Sequence, residues 1–333
     1  MKRLLNSAIS LILLMCVCVG ACVAEPIVVT DQVGREVIFE KSAEKLVSCY
    51  YISTATLIAL GLEDNLVGIE MKADTRGLYA IAAPQIVSLP EVGSGKGINV
   101  EEIAALSPDV VILPRKLKDD ADTLGQLGIN VIVVDPESQE QFEECVTLLG
   151  AVTGKNAEAA SLLEKYNEIT ANVTAAVEGL ETPSVYMASG SDFYTTYPAG
   201  IYQDDLITIA GGVNVAGVLE GDGKATIDAE QLLAWDPEYI FIVADADYTV
   251  EDVLADTQLS ELSAVKSGNV YAFPSNIEAW DYPTPSSVLG QMYMASILHP
   301  EAVSEEDFAA TALDFYLNVF AAEVTSADLG MAE

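Results

Sequence analysis

The chain has 333 residues, 51 acidic against 15 basic side chains, one His and five Cys. A formal charge of −36 excludes a nucleic-acid binder driven by phosphate neutralisation. It also excludes adhesion to an anionic bilayer by charge, so membrane attachment requires a lipid or a partner. One His excludes metal sites of several imidazoles, and an apolar fraction of 51% excludes wholesale disorder. At about 150 residues per domain, the length suggests two domains.

Residues 1–24 read as a targeting segment, with Lys2 and Arg3 before the apolar stretch Ala8–Val19. That stretch is shorter than the roughly 20 residues of a membrane span. The run Val19-Gly20-Ala21-Cys22 has the form of a lipobox, which makes Cys22 the expected lipidation site and the protein an exported one. Cleavage after Ala24 or an uncleaved anchor helix are the alternatives. In the mature chain Cys49 and Cys145 are consistent with either a disulfide or two buried thiols.

The body alternates strands and helices. Ile27–Thr30 and Glu36–Phe39 flank the turn sequence Asp31–Gly34 and should pair as a hairpin. A strand at Lys45–Cys49, a helix at Thr54–Leu60 and a strand at Leu66–Ile69 follow. Asp109–Leu113 and Val131–Val134 are continuous apolar runs suited to parallel strands, with a helix at Lys118–Leu127 between them. Residues 25–154 therefore form one doubly wound α/β lobe. Val100–Asp109 then recurs as Ala229–Glu238 at an offset of 129, each copy leading into an apolar strand. Asn99 with Glu102, and Asp228 with Gln231, place a capping box at each helix start. The repeat marks a second α/β lobe, 182–333, ending in a helix at Glu305–Phe320. Between the lobes, Leu162, Leu163, Tyr166, Ile169, Val173 and Val177 recur at helical spacing, so residues 155–181 read as one stiff linker helix.

Val28–Val37 (VVTDQVGREV), KLVSCYYISTATLIALGLEDNLVGI from Lys45, GINVEEIAALSPDVVIL from Gly97 and the Tyr202–Val243 segment resemble the iron-siderophore and vitamin B12 substrate-binding proteins of ABC importers. The resemblance implies two α/β lobes joined by a single long helix, the class III binding-protein architecture. It further implies a non-enzymatic monomer without a cofactor, which delivers a metal chelate to ABC permease subunits driven by a cytoplasmic ATPase. By the same resemblance, Glu101 and Glu230 would pair with permease arginines, one per lobe. Ala55 and Lys45 depart from the residues the family often carries there.

The ligand should lie between the lobes, at the carboxyl ends of their strands. Few cations exist to choose from, and Arg76, Arg115 and Lys116 follow strands, where they would select an anionic chelate. Tyr194, Tyr197, Tyr202 and Trp280 offer flat faces with polar handles on second-lobe loops. The ligand class expected is an iron(III) siderophore-type chelate, with a corrinoid as the alternative. An exported hydrolase using carboxylates such as Asp204, Asp205, Asp222 and Asp281 is the rival of a different class. Gly93–Gly97 lacks the spacing of a phosphate loop, though its backbone could still cradle an anion. His299 sits at a helix end, in a capping position.

Overall fold

The computed structural model describes residues 25–330 apart from Asp222 and Ser275. Cys22 and the targeting segment lie outside the described residues. Four short apolar runs, Leu46–Ser48, Leu66–Gly68, Val110–Pro114 and Asn130–Val134, form a parallel sheet in the spatial order second, first, third, fourth. Every residue of Val110–Pro114 is buried, as parallel strands covered on both faces require. The second lobe repeats the order with Val213–Asn214, Ser184–Ala188, Tyr239–Ile242 and Val270–Ala272, again all parallel. It adds two short antiparallel strands, Thr195–Thr196 and Ala225–Thr226. In each sheet the chain switches direction of travel beside its first strand, and a crevice opens at the carboxyl ends there.

The repeated helices are Val100–Leu106 and Ala229–Trp235. Asn99 and Asp228 each accept the backbone N–H three residues on, and the helices end at Ser107 and Asp236, both in the left-handed region. The expected capping boxes are half-made. The Glu102 carboxylate accepts from the Asn99 side-chain amide rather than from its backbone N–H. Among the described residues a full box forms at Thr249 and Asp252.

The hairpin pairs Ile27–Thr30 with Glu36–Phe39, Thr30 lying opposite Glu36, and the last long helix spans Glu305–Phe320. The helix Gln139–Thr153 falls between the predicted elements and ends at Gly154, whose φ of 74° turns the chain into the linker. The linker helix is Asn156–Val177, about 33 Å at 1.5 Å per residue. Its buried face is Ala159, Leu162, Tyr166, Ile169, Val173 and Val177. Tyr166 packs on Phe142 of the preceding helix, and its hydroxyl meets those of Tyr202 and Ser287 at 3.1 and 3.3 Å. One apolar core consequently runs through both lobes. No helix among the described residues is long and apolar enough to cross a membrane.

Cys49 and Cys145 are free, buried thiols in separate core clusters. Burial pushes both up, Cys145 to about 12, so neither is a thiolate near neutral pH. A thiol-reactive chromophore added to the domain starting at Glu25 is expected to find no group in the native state and two after denaturation. A native reaction, or none after unfolding, would contradict this assignment.

Candidate ligand-binding site

Where the two sets of strand ends meet, the lobes enclose a cavity of about 590 Å³. The first lobe contributes Tyr50, Tyr51, Arg76, Tyr79, Lys116 and Glu137; the second contributes Tyr197, Tyr202, Lys224, Asp245, Glu278 and Tyr282. Backbone hydrogen bonds join the lobes on two flanks of this space. Leu78 N–H donates to the Ile277 carbonyl at 2.9 Å, and Tyr202 N–H donates to the Glu137 carbonyl at 2.8 Å. On the first flank a Cβ at Gly77 would sit 2.4 Å from the Asn276 carbonyl oxygen, so only glycine lets the backbones approach this closely. Tyr51 meets Tyr282 edge-on across the gap, with ring centres 6.1 Å apart.

Arg76 precedes the short helix Gly77–Ala82 and lies over the Tyr51 ring, 4.6 Å from its centre. Its buried Nε has no hydrogen-bond partner. Lys224 Nζ donates to Ser189 Oγ at 3.0 Å and lies 5.2 Å from the centre of the Tyr197 ring. Among the described residues, Arg76, Lys116 and Lys224 form no ion pair, although the chain carries 51 carboxylates. Two of the cavity's acids are tied to hydroxyls: Asp245 accepts from the lining Tyr282 at 3.0 Å, and Glu278 accepts from Ser286, buried behind the lining. The cavity thus sets three cations, none within ion-pair distance of a carboxylate, and several aromatic faces beside the acids Glu137, Asp245 and Glu278, and its cations and rings suit an anion with flat or bulky parts.

Burial raises the hydroxyls of Tyr51, Tyr79, Tyr197 and Tyr282, which therefore act as neutral donors. Glu137 is raised by burial and by the neighbouring Asp135. Behind the lining, Glu70 is buried and accepts from Thr54 Oγ1 and Tyr79 OH, both at 2.6 Å, which fixes the Tyr79 ring. The described residues contain no cluster of His, Cys, Asp and Glu suited to a bare metal ion.

Of the residues singled out by sequence, Arg76, Lys116, Tyr197 and Tyr202 line the cavity. The Tyr202 hydroxyl is taken up by Tyr166. Arg115, Tyr194 and Trp280 do not line the cavity. Arg115 lies outside the cavity and pairs with Asp135 at 2.5 Å; the strands they follow run side by side, Pro114 opposite Val134. Tyr194 packs edge-on against Phe193 in the second lobe's core cluster. Trp280 is buried, with Nε1 donating to Tyr316 OH at 3.0 Å and its ring edge-on to Phe308. The C-terminal helix supplies both partners, a long-range contact that the loop's own sequence does not announce. His299 ends the helix Val288–Leu298, and its Nε2 lies 3.3 Å from the Gly211 carbonyl, just beyond the helix Tyr202–Ile209. Glu101 and Glu230 are exposed in the first turns of the repeated helices, where the helix dipole favours a carboxylate. Tyr51 and Lys224 lie on loops the sequence places at the cleft, Cys49–Ser53 and Glu220–Ala225, without being singled out there, whereas Glu137 lies on none of the expected loops.

Asp281 is wholly buried: one carboxylate oxygen accepts from Ala244 N–H at 3.3 Å and the other has no partner. Burial pushes it up to about 7, the Ala244 hydrogen bond opposing and Asp245 adding to the rise. A carboxyl raised above its unfolded value near 3.9 weakens the fold as pH climbs from about 4 to about 7, because the folded state holds the proton longer. Asp281→Asn is expected to raise Tm at pH 8 and to leave it nearly unchanged at pH 4.5. Equal shifts at both pH values would rule out this linkage.

The chain is 23% identical over 316 residues to the molybdate-binding protein MolA of Haemophilus influenzae, an overlap covering 87% of this chain and 89% of that protein. It is 25% identical over 283 residues to a cobalamin-binding protein of Halobacterium salinarum, covering 82% and 74%. The crystal structure of a periplasmic solute binding protein from Veillonella parvula superposes with a TM-score of 0.78 at 23% identity, covering 91% of this chain and 95% of that one. Residues 46–277 match the periplasmic binding protein family, and with two repeated α/β lobes closing on one cavity the chain belongs to that family.

Proposed function

We propose that this protein is the exported substrate-binding component of an ABC importer and captures an anionic, siderophore-type ferric chelate between its lobes. The single observation that carries the ligand class is the set of three cavity cations, Arg76, Lys116 and Lys224, none of them within ion-pair distance of a carboxylate among the described residues. A cavity of about 590 Å³ falls in the range that encloses a ligand of drug-like size. The protein performs no chemistry; it binds, holds and hands over. Attachment through a lipid on Cys22 and docking of a monomer on permease subunits through Glu101 and Glu230 complete the reading. A corrinoid is the second reading, favoured by the tyrosine-rich walls and by the named cobalamin-binding relative.

The test is calorimetric titration of the domain from Glu25 with ferric tris-catecholate, ferric citrate, molybdate and cyanocobalamin. Binding of a ferric chelate with Arg76→Ala costing roughly tenfold or more in affinity is the expected result, since Arg76 would lose charge-assisted hydrogen bonds. Binding of cyanocobalamin alone would replace this reading with the second one.

Docking is read separately. In cells carrying the cognate importer, the double variant Glu101→Lys, Glu230→Lys is expected to abolish uptake while ligand affinity in solution stays within about twofold, because both side chains are exposed and outside the cavity lining. Retained uptake would remove these glutamates from the docking surface.

A further inference from the structure

A Gly-x-Gly-Lys run precedes each of the repeated helices, and each run bears on one cavity lysine. Gly93-Ser94-Gly95-Lys96 leads into the helix Val100–Leu106, and Gly221-Asp222-Gly223-Lys224 leads into its repeat, Ala229–Trp235. Gly93 and Gly221, the first residue of each loop, share the same positive-φ backbone, at 143° and 145°. In the second lobe the loop delivers its own Lys224 to the rim, anchored on Ser189 Oγ and over the Tyr197 ring. In the first lobe Lys96 is exposed outside the cavity lining, and the loop acts through Gly95 instead. A Cβ there would lie 2.2 Å from Lys116 Cε and 2.4 Å from Lys116 Nζ, so the bare glycine is the seat on which that ammonium rests.

We infer that Lys116, seated on Gly95, and Lys224 form a two-sided clamp that selects a ligand with negatively charged groups on two faces, one turned to each lobe. This rests on the proposed capture of an anionic chelate and narrows it to a polyanionic one. Each ammonium comes from a different lobe, so a ligand satisfying both is gripped only when the lobes share it. A single small oxyanion reaching one ammonium would leave the other without a counter-charge from the ligand. A neutral corrinoid would leave both. Glu137 also lines the cavity, and both lysines favour its charged form, so the ligand's anionic groups compete with this carboxylate for the two ammoniums. Gly95 is a positioning residue, acting through Lys116, and Lys224 a specificity-determining one.

The test uses Gly95→Ala and Lys224→Gln, singly and together. The added methyl in Gly95→Ala meets only the flexible end of Lys116, so folding is expected to be preserved and is checked by thermal melting. Calorimetry is run with trianionic ferric tris-catecholate, molybdate and cyanocobalamin. The expected result is that each single variant weakens ferric tris-catecholate roughly tenfold and the double variant close to the product of the two. The steep salt dependence of this affinity should flatten stepwise with each substitution. Tight ferric tris-catecholate binding that ignores both substitutions would overturn the clamp and leave the chelate reading standing. Molybdate binding that depends on one lysine alone, or cyanocobalamin binding insensitive to both, would overturn the clamp together with that reading. Absence of binding by any probe would do the same.

Discussion

The buried hydroxyl of Tyr166 is the point on which the two halves of this molecule are aligned. It sits on the linker helix, packs its ring on the first lobe's Phe142 and shares hydrogen bonds with Tyr202 and Ser287 of the second. Beside it, Thr170 donates to Gln291 at 2.7 Å, and Gln291 donates to Gln139 at 3.0 Å. Buried polar groups of this kind are costly unless satisfied, so the network tolerates few alternative arrangements. A rigid rod held by both lobes turns their strand ends towards one another, and the cavity follows from that orientation. The two backbone hydrogen bonds between the lobes then close its flanks.

The lobes themselves were legible because their signals are local. Continuous apolar runs specify strands covered on both faces, and the hairpin follows from its turn. The helix Gln139–Thr153 carries an equally local pattern in Phe142, Cys145, Val146, Leu149 and Val152, closed by Gly154. It was readable, yet its Gln- and Glu-rich opening hid its start between two strongly marked elements. The capping boxes were half right for a related reason. A side chain can cap without reciprocity, and which N–H the partner carboxylate reaches depends on rotamers rather than spacing.

Side-chain direction in the site was less legible. Topology told which loops would meet, but Trp280 and Tyr282, two residues apart, go to opposite destinations. Trp280 turns to the C-terminal helix, where Tyr316 accepts its N–H, whereas Tyr282 turns to Tyr51 and Asp245. Arg115 and Lys116 diverge in the same way: the first finds Asp135 on the adjacent strand's end, the second rests on Gly95. These choices are made by residues far away in sequence. Lys224 left a trace that could have been found, the second Gly-x-Gly-Lys run ahead of the repeated helix.

For the anionic chelate proposed as ligand, three cavity cations in an otherwise acidic molecule have a kinetic consequence. At long range an approaching polyanion meets the field of a −36 chain and is repelled, whereas attraction by the lysines and Arg76 takes over only near the mouth. At physiological ionic strength the Debye length is about 8 Å, so most of the repulsion is screened before encounter while the contact charges still act. Added salt therefore speeds arrival and speeds departure. The same anion would load slowly in fresh water and be held longest there, whereas in brine loading and release would both be quick.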